Sequence, residues 1–389
     1  MASVERPQAP KIGLVLSGGG ARAAYQVGVL RAISEMLPAN SPVPFKIICG
    51  TSAGAINATV LAANADNFRR GVRLLMTVWK NFHVHHVYRA DPLGAFRNSG
   101  KWILSTLSGG LGRKTPVALL DNAPLAQLLN TRIDYAGIQR SIDNGTLSAF
   151  SVTCSSYTSG QSVTFFQSAP GVESWQRARR IGVGTAINSS HLLASSALPF
   201  VFPAVHINRE YFGDGSMRQI APISPALHLG ADRLFVIGVG RQLQAKSERI
   251  NSDAYPSLAQ IAGHCLNSIF LDSLEIDLER LQRINRTLSL IPPELRQENH
   301  MPLREIDFRV ISPSDALEKI ATDHLSSLPL TIRSLLFTIG AMRKSGSNLV
   351  SYLLFEREYC RALIQLGYHD AKQRRDELMG FLGYEACWL

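Results

Sequence analysis

The sequence predicts an α/β fold built on a mainly parallel central sheet, followed by a largely helical C-terminal region. Three observations carry this expectation. Two short apolar runs, Ile12 to Leu16 and Phe45 to Cys49, each end in a glycine-bearing turn and lead into residues at helical spacing. A third apolar run, Arg233 to Val239, reads as a core strand and is again followed by helical spacing. Strand, helix, strand, helix in that order requires crossover connections, which set the strands parallel and lay the helices over the sheet.

Each element has its own reason. The first run stops at Ser17, Gly18, Gly19 and Gly20, and Val27, Leu30 and Ile33 then mark the apolar face of a helix from Ala21 to Met36. Pro38, Pro42 and Pro44 break the chain before the second strand, after which a helix is expected from Ala55 to Ala63. Further helices are expected over Phe68 to Trp79 and Leu119 to Asn130, with a glycine-rich, mobile loop from Gly94 to Arg113 between them. Strand patterns return at Leu147 to Cys154 and Ser162 to Phe166, a hairpin about Ser159 and Gly160, and again at Val205 to Ile207. Leu266, Phe270, Leu274, Leu278 and Leu281 give one apolar face to a single helix from Leu258 to Leu290. Ile306 to Ile311 reads as the last strand, Ser312, Pro313, Ser314 and Asp315 as a helix start, and the remainder as helical. The apolar stretch Leu325 to Ile339 is too short for a membrane span and contains Arg333, so a packed helix is expected there.

Composition narrows the class. With 46% apolar and 18% charged residues the chain is of globular type, without repeats or low-complexity runs. The net charge of +10 favours anionic partners. The basic clusters at Arg69, Arg70 and Arg73 and at Arg177, Arg179 and Arg180 lack the aromatic interleaving of nucleic-acid sites, so an anionic membrane surface is preferred and nucleic acid is not expected. Five scattered cysteines with no C-x-x-C pair suggest neither a disulfide framework nor a zinc site, and a reducing, cytoplasmic setting fits them. Met1 to Pro10 lacks the order of a secretory signal, and no apolar run approaches the roughly 20 residues of a span, so membrane contact is expected to be peripheral.

Gly50, Thr51, Ser52, Ala53 and Gly54 spell G-x-S-x-G between a predicted strand and a predicted helix, where the pattern presents a nucleophilic hydroxyl on a sharp turn above a helix N-terminus. Gly18, Gly19 and Gly20, followed by Ala21, Arg22 and Ala23, form a second glycine loop at the neighbouring strand end, and their unobstructed amides suit an oxyanion hole. The same loop satisfies the dinucleotide fingerprint G-x-G-x-x-A. That reading needs an acidic residue at the end of the second strand, where Cys49, Gly50, Thr51 and Ser52 stand instead. No later histidine, at His228, His264, His300, His324 or His369, sits in a glycine-flanked turn, and the cluster His83, His85 and His86 reads as a polar loop without metal-ligand spacing. Asp214 does sit in such a turn, Gly213 to Ser216, after the strand-like Arg209 to Phe212.

At this point the sequence resembles the patatin-like phospholipases. The glycine loop, the G-x-S-x-G elbow and the Asp-Gly turn occur in that family's order. Between and beyond them lie Ala194 to Phe200 with Phe202 and Pro203, then Ala221, Pro222 and Ile223, then Gly230, Ala231 and Asp232. The sequence departs from the family pattern at Ala23, in place of the loop's final glycine, and at Ser216, where glycine or alanine is usual.

The resemblance implies a three-layer patatin-like fold over residues 9–312, with a helical insertion at about 257–300 and a C-terminal helical region over 313–389. It also implies a Ser52–Asp214 dyad without histidine. Ser52 is the expected nucleophile, Gly50 and Gly54 its elbow, Gly215 part of the acid turn, and Arg22 a loop-ordering or headgroup-binding residue. No metal or cofactor is expected, the expected partner is a phospholipid or other acyl ester, and the oligomeric state is open. A silent lipid-binding scaffold, or an acyltransferase or thioesterase on the same dyad, are the alternatives.

Overall fold

The computed structural model describes residues 10–89, 118–241, 255–299, 301, 303–342 and 346–384. The expected mobile loop Gly94 to Arg113 lies outside the described residues. Among the described residues ten strands form one sheet: β1 (Ile12–Leu16), β2 (Ile47–Thr51), β3 (Ala149–Ser156), β4 (Ser162–Ser168), β5 (Trp175–Arg177), β6 (Arg180–Gly184), β7 (Val205–Ile207), β8 (Glu210–Asp214), β9 (Arg233–Ile237) and β10 (Asp307–Ile311). Their order is β10-β9-β1-β2-β3-β4-β6-β5, with β8 on β3 and β7 on β8. The run from β10 to β3 is parallel throughout, and β4 and β8 then pair antiparallel with β3.

Side-chain alternation sorts the strands into two faces. Leu14, Leu16, Ile48, Phe150, Phe235 and Ile237 join a large core with α1 (Ala24–Met36), α2 (Ala53–Ala63) and α3 (Phe68–Trp79). Val15, Ile47, Cys49, Leu234 and Val236 point the other way, onto Ile223 and Ala226 and onto Leu274, Leu278 and Leu281 of the helix Ser273–Ser289. Helices on both faces of a mostly parallel sheet make the expected three layers. The C-terminal helix Arg357–Gln373 lies along α1 in the first of these cores. The approach is close: an added Cβ at Gly28 would stand 2.1 Å from the Ile364 carbonyl oxygen, and one at Gly367 2.2 Å from that of Tyr25.

The differences from expectation have local causes. The strand expected over Phe45 to Cys49 runs two residues later, Ile47–Thr51, and Lys46 just before it already hydrogen-bonds to Ile12 and Ser148 on either side. The long helix is broken: Leu258–Asn267 and Ser273–Ser289 are joined through a π-helical turn at Ser268–Asp272, which turns Phe270 inward. Leu325 to Ile339 is likewise two pieces, a 3₁₀ turn at Leu325–Ser327 and a helix at Leu330–Thr338 separated by Pro329, with Ile332 and Leu336 buried. Among the described residues no helix is long and apolar enough to cross a membrane, and Cys49, Cys154, Cys265 and Cys360 are unpaired.

Candidate active site

The strand β3 brings the elbow and the acid turn together. β2 pairs with one edge of β3 as far as Thr51 opposite Thr153. β8 takes over that same edge at the next position, Asp214 opposite Cys154, running in the opposite direction. Two chain ends therefore meet head-on at one point of one strand, although they are 162 residues apart in sequence.

At that point the chain leaves β2 abruptly. Ser52 has φ 54° and ψ −131°, a conformation L residues rarely adopt, and it stands at the N-terminus of α2. A serine there usually caps the helix with its hydroxyl. Here the hydroxyl caps nothing. It donates instead to Asp214 Oδ2 at 2.6 Å. The elbow depends on Gly54, where a Cβ would stand 2.4 Å from the Leu16 carbonyl oxygen at the end of β1. Gly50, the penultimate residue of β2, packs against the backbone of Gly54 and Ala55 in α2, and Gly215 packs on the Thr153 carbonyl.

Asp214 is 1% exposed. Its Oδ1 accepts from the Ser216 amide at 2.9 Å, and its own amide donates to the Ala197 carbonyl at 2.9 Å. Burial pushes the carboxyl up to about 6, against the opposing effect of the hydrogen bonds from Ser52 and Ser216. The hydroxyl at Ser216, one of the two departures from the family pattern, thus joins the hydrogen-bond set of the carboxylate. Among the described residues no imidazole is bonded to Ser52 or Asp214. His191, the histidine of the neighbouring helix Ser189–Ser195, bonds to Asn188 and packs edge-on against Phe165. Burial holds its pKa down to about 4.

The glycine loop lies beside the dyad. Gly20 and Ser52 line one cavity, and Gly20, at φ 54°, passes so close to the Tyr352 carbonyl that a Cβ would stand 2.2 Å from its oxygen. Gly18 and Gly19 sit against Ser216 and Phe270 and against Val239, respectively. Arg22 is 1% exposed, so a side chain expected to order the loop or meet a headgroup is folded inward. Its Nε donates to Ser351 Oγ at 2.8 Å, Nη2 to Asn348 Oδ1 at 3.2 Å, and its guanidinium lies 4.0 Å over the Tyr352 ring. These contacts tie the loop to the helix Ser347–Leu353.

Two groups carried no role in the sequence reading. Ser195 Oγ accepts from the Ser52 amide at 2.9 Å and donates to the Thr153 carbonyl at 2.6 Å, fixing the elbow to β3. Thr51 Oγ1 donates to Gln219 Oε1 at 2.7 Å, linking the elbow to the segment after the acid turn. Ser195 stands in the quoted Ala194–Phe200 block, but nothing in the sequence pairs it with Ser52. The histidine cluster lies apart from the dyad: His83 Nδ1 bonds Glu356 Oε2 at 2.8 Å. Among the described residues no group of histidine, cysteine and carboxylate side chains is disposed to hold a metal ion.

The cavity above the dyad encloses about 710 Å³, the open mouth included, and its walls are almost wholly apolar: Ile56, Val78, Phe82, Leu125, Phe202 and Phe355 among them. Such a lining suits a hydrocarbon chain.

Comparison with known proteins places this site in a family. A model of the patatin-like phospholipases matches residues 14–227. A lysophospholipase of Aspergillus terreus is 49% identical over 55 residues, 14% of this chain and 3% of that protein. A patatin-like phospholipase domain-containing protein of Caenorhabditis elegans is 46% identical over 56 residues, 14% of this chain and 4% of that protein. The chain thus covers only a small fraction of the length of these relatives. Among solved structures, human GIVD cytosolic phospholipase A2 aligns over 98% of this chain and 61% of that chain, with 10% identity and a TM-score of 0.44. VipD from Legionella pneumophila aligns over 89% and 67%, with 14% identity and a TM-score of 0.33. The family model spans more than half of the chain and includes both Ser52 and Asp214; the chain belongs to the patatin-like phospholipase family.

Proposed function

We propose that the protein is a lipid acyl hydrolase of phospholipase A or lysophospholipase type, working through a Ser52–Asp214 dyad. One observation carries the reading: the Ser52 hydroxyl donates at 2.6 Å to a fully buried carboxylate at the floor of an apolar cavity. An ordinary carboxylate is a poor base toward an alcohol. Burial raises the affinity of Asp214 for a proton while leaving it ionised at neutral pH, since its pKa is about 6.

In the proposed cycle Ser52 Oγ attacks the ester carbonyl carbon and its proton passes to Asp214. The carbonyl oxygen takes up negative charge beside the amides of Gly18, Gly19 and Gly20, which serve as the oxyanion hole. Collapse breaks the bond to the leaving alkoxide, which receives the proton from Asp214 and departs as the alcohol or lysolipid. Water then attacks the acyl-enzyme, Asp214 taking its proton and returning it to Ser52 as the fatty acid leaves. Arg22 serves to hold the glycine loop, given its burial and its contacts with Ser351, Asn348, Tyr352 and Glu318. The net positive charge supports peripheral docking on an anionic membrane. The test is hydrolysis of phosphatidylcholine and lysophosphatidylcholine by the purified protein, by S52A and by D214N, with fluorophosphonate labelling alongside. Both variants should be inactive and S52A unlabelled. Turnover retained by either rejects the dyad, an intact Ser52 that takes up no fluorophosphonate indicates a silent scaffold, and capture of the acyl group by added glycerol in place of water indicates a transferase.

A further inference from the structure

The cavity above Ser52 does not end where its first set of walls ends. A second apolar space of about 1040 Å³, open solvent included, adjoins it, and the two share Ile56, Val78, Trp79, Phe82 and Leu128 as a common partition. The geometry of α2 explains the alignment. Ser52 precedes the helix, and Ile56 and Val60 follow it at intervals of four residues, so all three lie along one helical face about 6 Å apart. Ile56 lines both spaces and Val60 lines the second. Both are half-buried although α2 is otherwise sunk in the core, because this face looks onto open space. The opposite wall is Leu74, Leu75 and Val78 of α3, with Leu128 from the helix Ala123–Arg132 closing the side.

The partition has one fixed wall and one adjustable wall. Trp79 is held by its indole N–H, which donates at 2.9 Å to Asn57 Oδ1, while Asn57 in turn donates to Gln26 and to the Ala23 carbonyl. Ile56 and Leu128, both half-buried, have purely hydrocarbon side chains with no hydrogen bond to hold them. The polar side chains that line the second space are Thr77, Asn81, His86 and Arg132, and His86 stacks on Phe82 of the partition.

Building on the hydrolase reading above, we propose that the two spaces form one acyl-chain path. A single long hydrocarbon chain runs from the carbonyl at Ser52 along Ile56, passes the neck at Leu128, and lays its distal methylenes between α3 and the helix Ala123–Arg132. Leu128 is then the residue that sets acyl-chain length, and esters of long fatty acids are the preferred substrate class. The occupant follows from adjacency: the second space shares five side chains with the cavity of the reacting serine, and most of its lining is apolar.

The test is the chain-length profile of kcat/KM for p-nitrophenyl esters, from butyrate through palmitate, dispersed in the same detergent. Each methylene that enters the path is worth about fourfold, so wild-type values should climb steadily from short to long chains. L128W, which fills the neck, should lower the palmitate-to-butyrate ratio by at least about tenfold, roughly two methylenes of binding. L74W fills the far chamber from a position that is 44% exposed, where a larger side chain is tolerated by the fold. It should truncate the climb only at the longest chains. A ratio unmoved in both variants overturns the path, and if L128W does not fold, L74W decides alone. An enzyme that hydrolyses no ester of any length refutes instead the hydrolase reading beneath it.

Discussion

Replacing Asp214 by asparagine should remove activity and, at neutral pH, make the protein more stable. The folded carboxyl sits at about 6 against an ordinary 3.8, because it is buried. In acid, below the unfolded value, both states carry the proton and the site costs nothing. As the pH rises toward about 6 the unfolded chain gives up its proton first, so the stability contributed by the neutral buried carboxyl is progressively lost. Above about 6 the folded state holds a charge whose burial costs roughly 3 kcal/mol, at about 1.4 kcal/mol per pH unit of displacement. The amide of D214N remains neutral throughout, can still accept from the Ser216 amide, and can donate to Ser52 Oγ. Urea unfolding of both proteins at about pH 4, 6 and 8 should show a difference near zero in acid that grows to roughly 3 kcal/mol in favour of D214N. Wild-type kcat/KM should rise with pH and level off above about 6, as the base ionises. A variant less stable than wild type at about pH 8, or a difference independent of pH, would refute the argument that burial, and not a partner, tunes this base.

Three further outcomes follow from the geometry. S52G and S52A both lose the hydroxyl, but only the first relieves the backbone at φ 54°; S52G should be the more stable of the two by about 1 kcal/mol in urea unfolding. S195A leaves the buried Ser52 amide without its acceptor, so a loss of about 1–3 kcal/mol in stability is expected, with kcat lowered about tenfold and KM unchanged in steady-state assays. G28A places a methyl group against the Ile364 backbone, which has no rotamer to move; separation of the two helices should cost at least about 2 kcal/mol, read as a lowered thermal midpoint.

Much of the fold was legible because the parallel strands are buried on both faces and end at glycines. Ile12 to Leu16 and Phe68 to Trp79 match the observed elements residue for residue. The pair Trp175–Arg177 and Arg180–Gly184 gave no strand signal because both strands are short and their arginines and glycines leave too few apolar residues to set a pattern. The π turn at Ser268–Asp272 was invisible because the apolar spacing runs through it unbroken. At the site, Ser52 announced itself through its glycines. The fate of Arg22 could not be read, since an arginine in a loop suggests solvent, and the groups that bury it lie more than 320 residues further along. Ser195 was hidden for the same reason: its role depends on the Thr153 carbonyl, which only the sheet brings near.

That Thr51 and Asp214 occupy successive positions on one edge of β3 has a consequence for how such a molecule can change over generations. The long excursion between Tyr157 and Arg209 can gain or lose residues at its surface turns and leave the distance between the reacting oxygens untouched, because that distance is set by ladder hydrogen bonds. A single residue added within Ala149–Thr153 is another matter: it would rotate every later side chain of the strand to the opposite face and detach the acid from the alcohol. The walls of the cavity are thus free to drift with the borders of the sheet, while the alignment of hydroxyl and carboxylate rests on the register of five residues that line neither cavity.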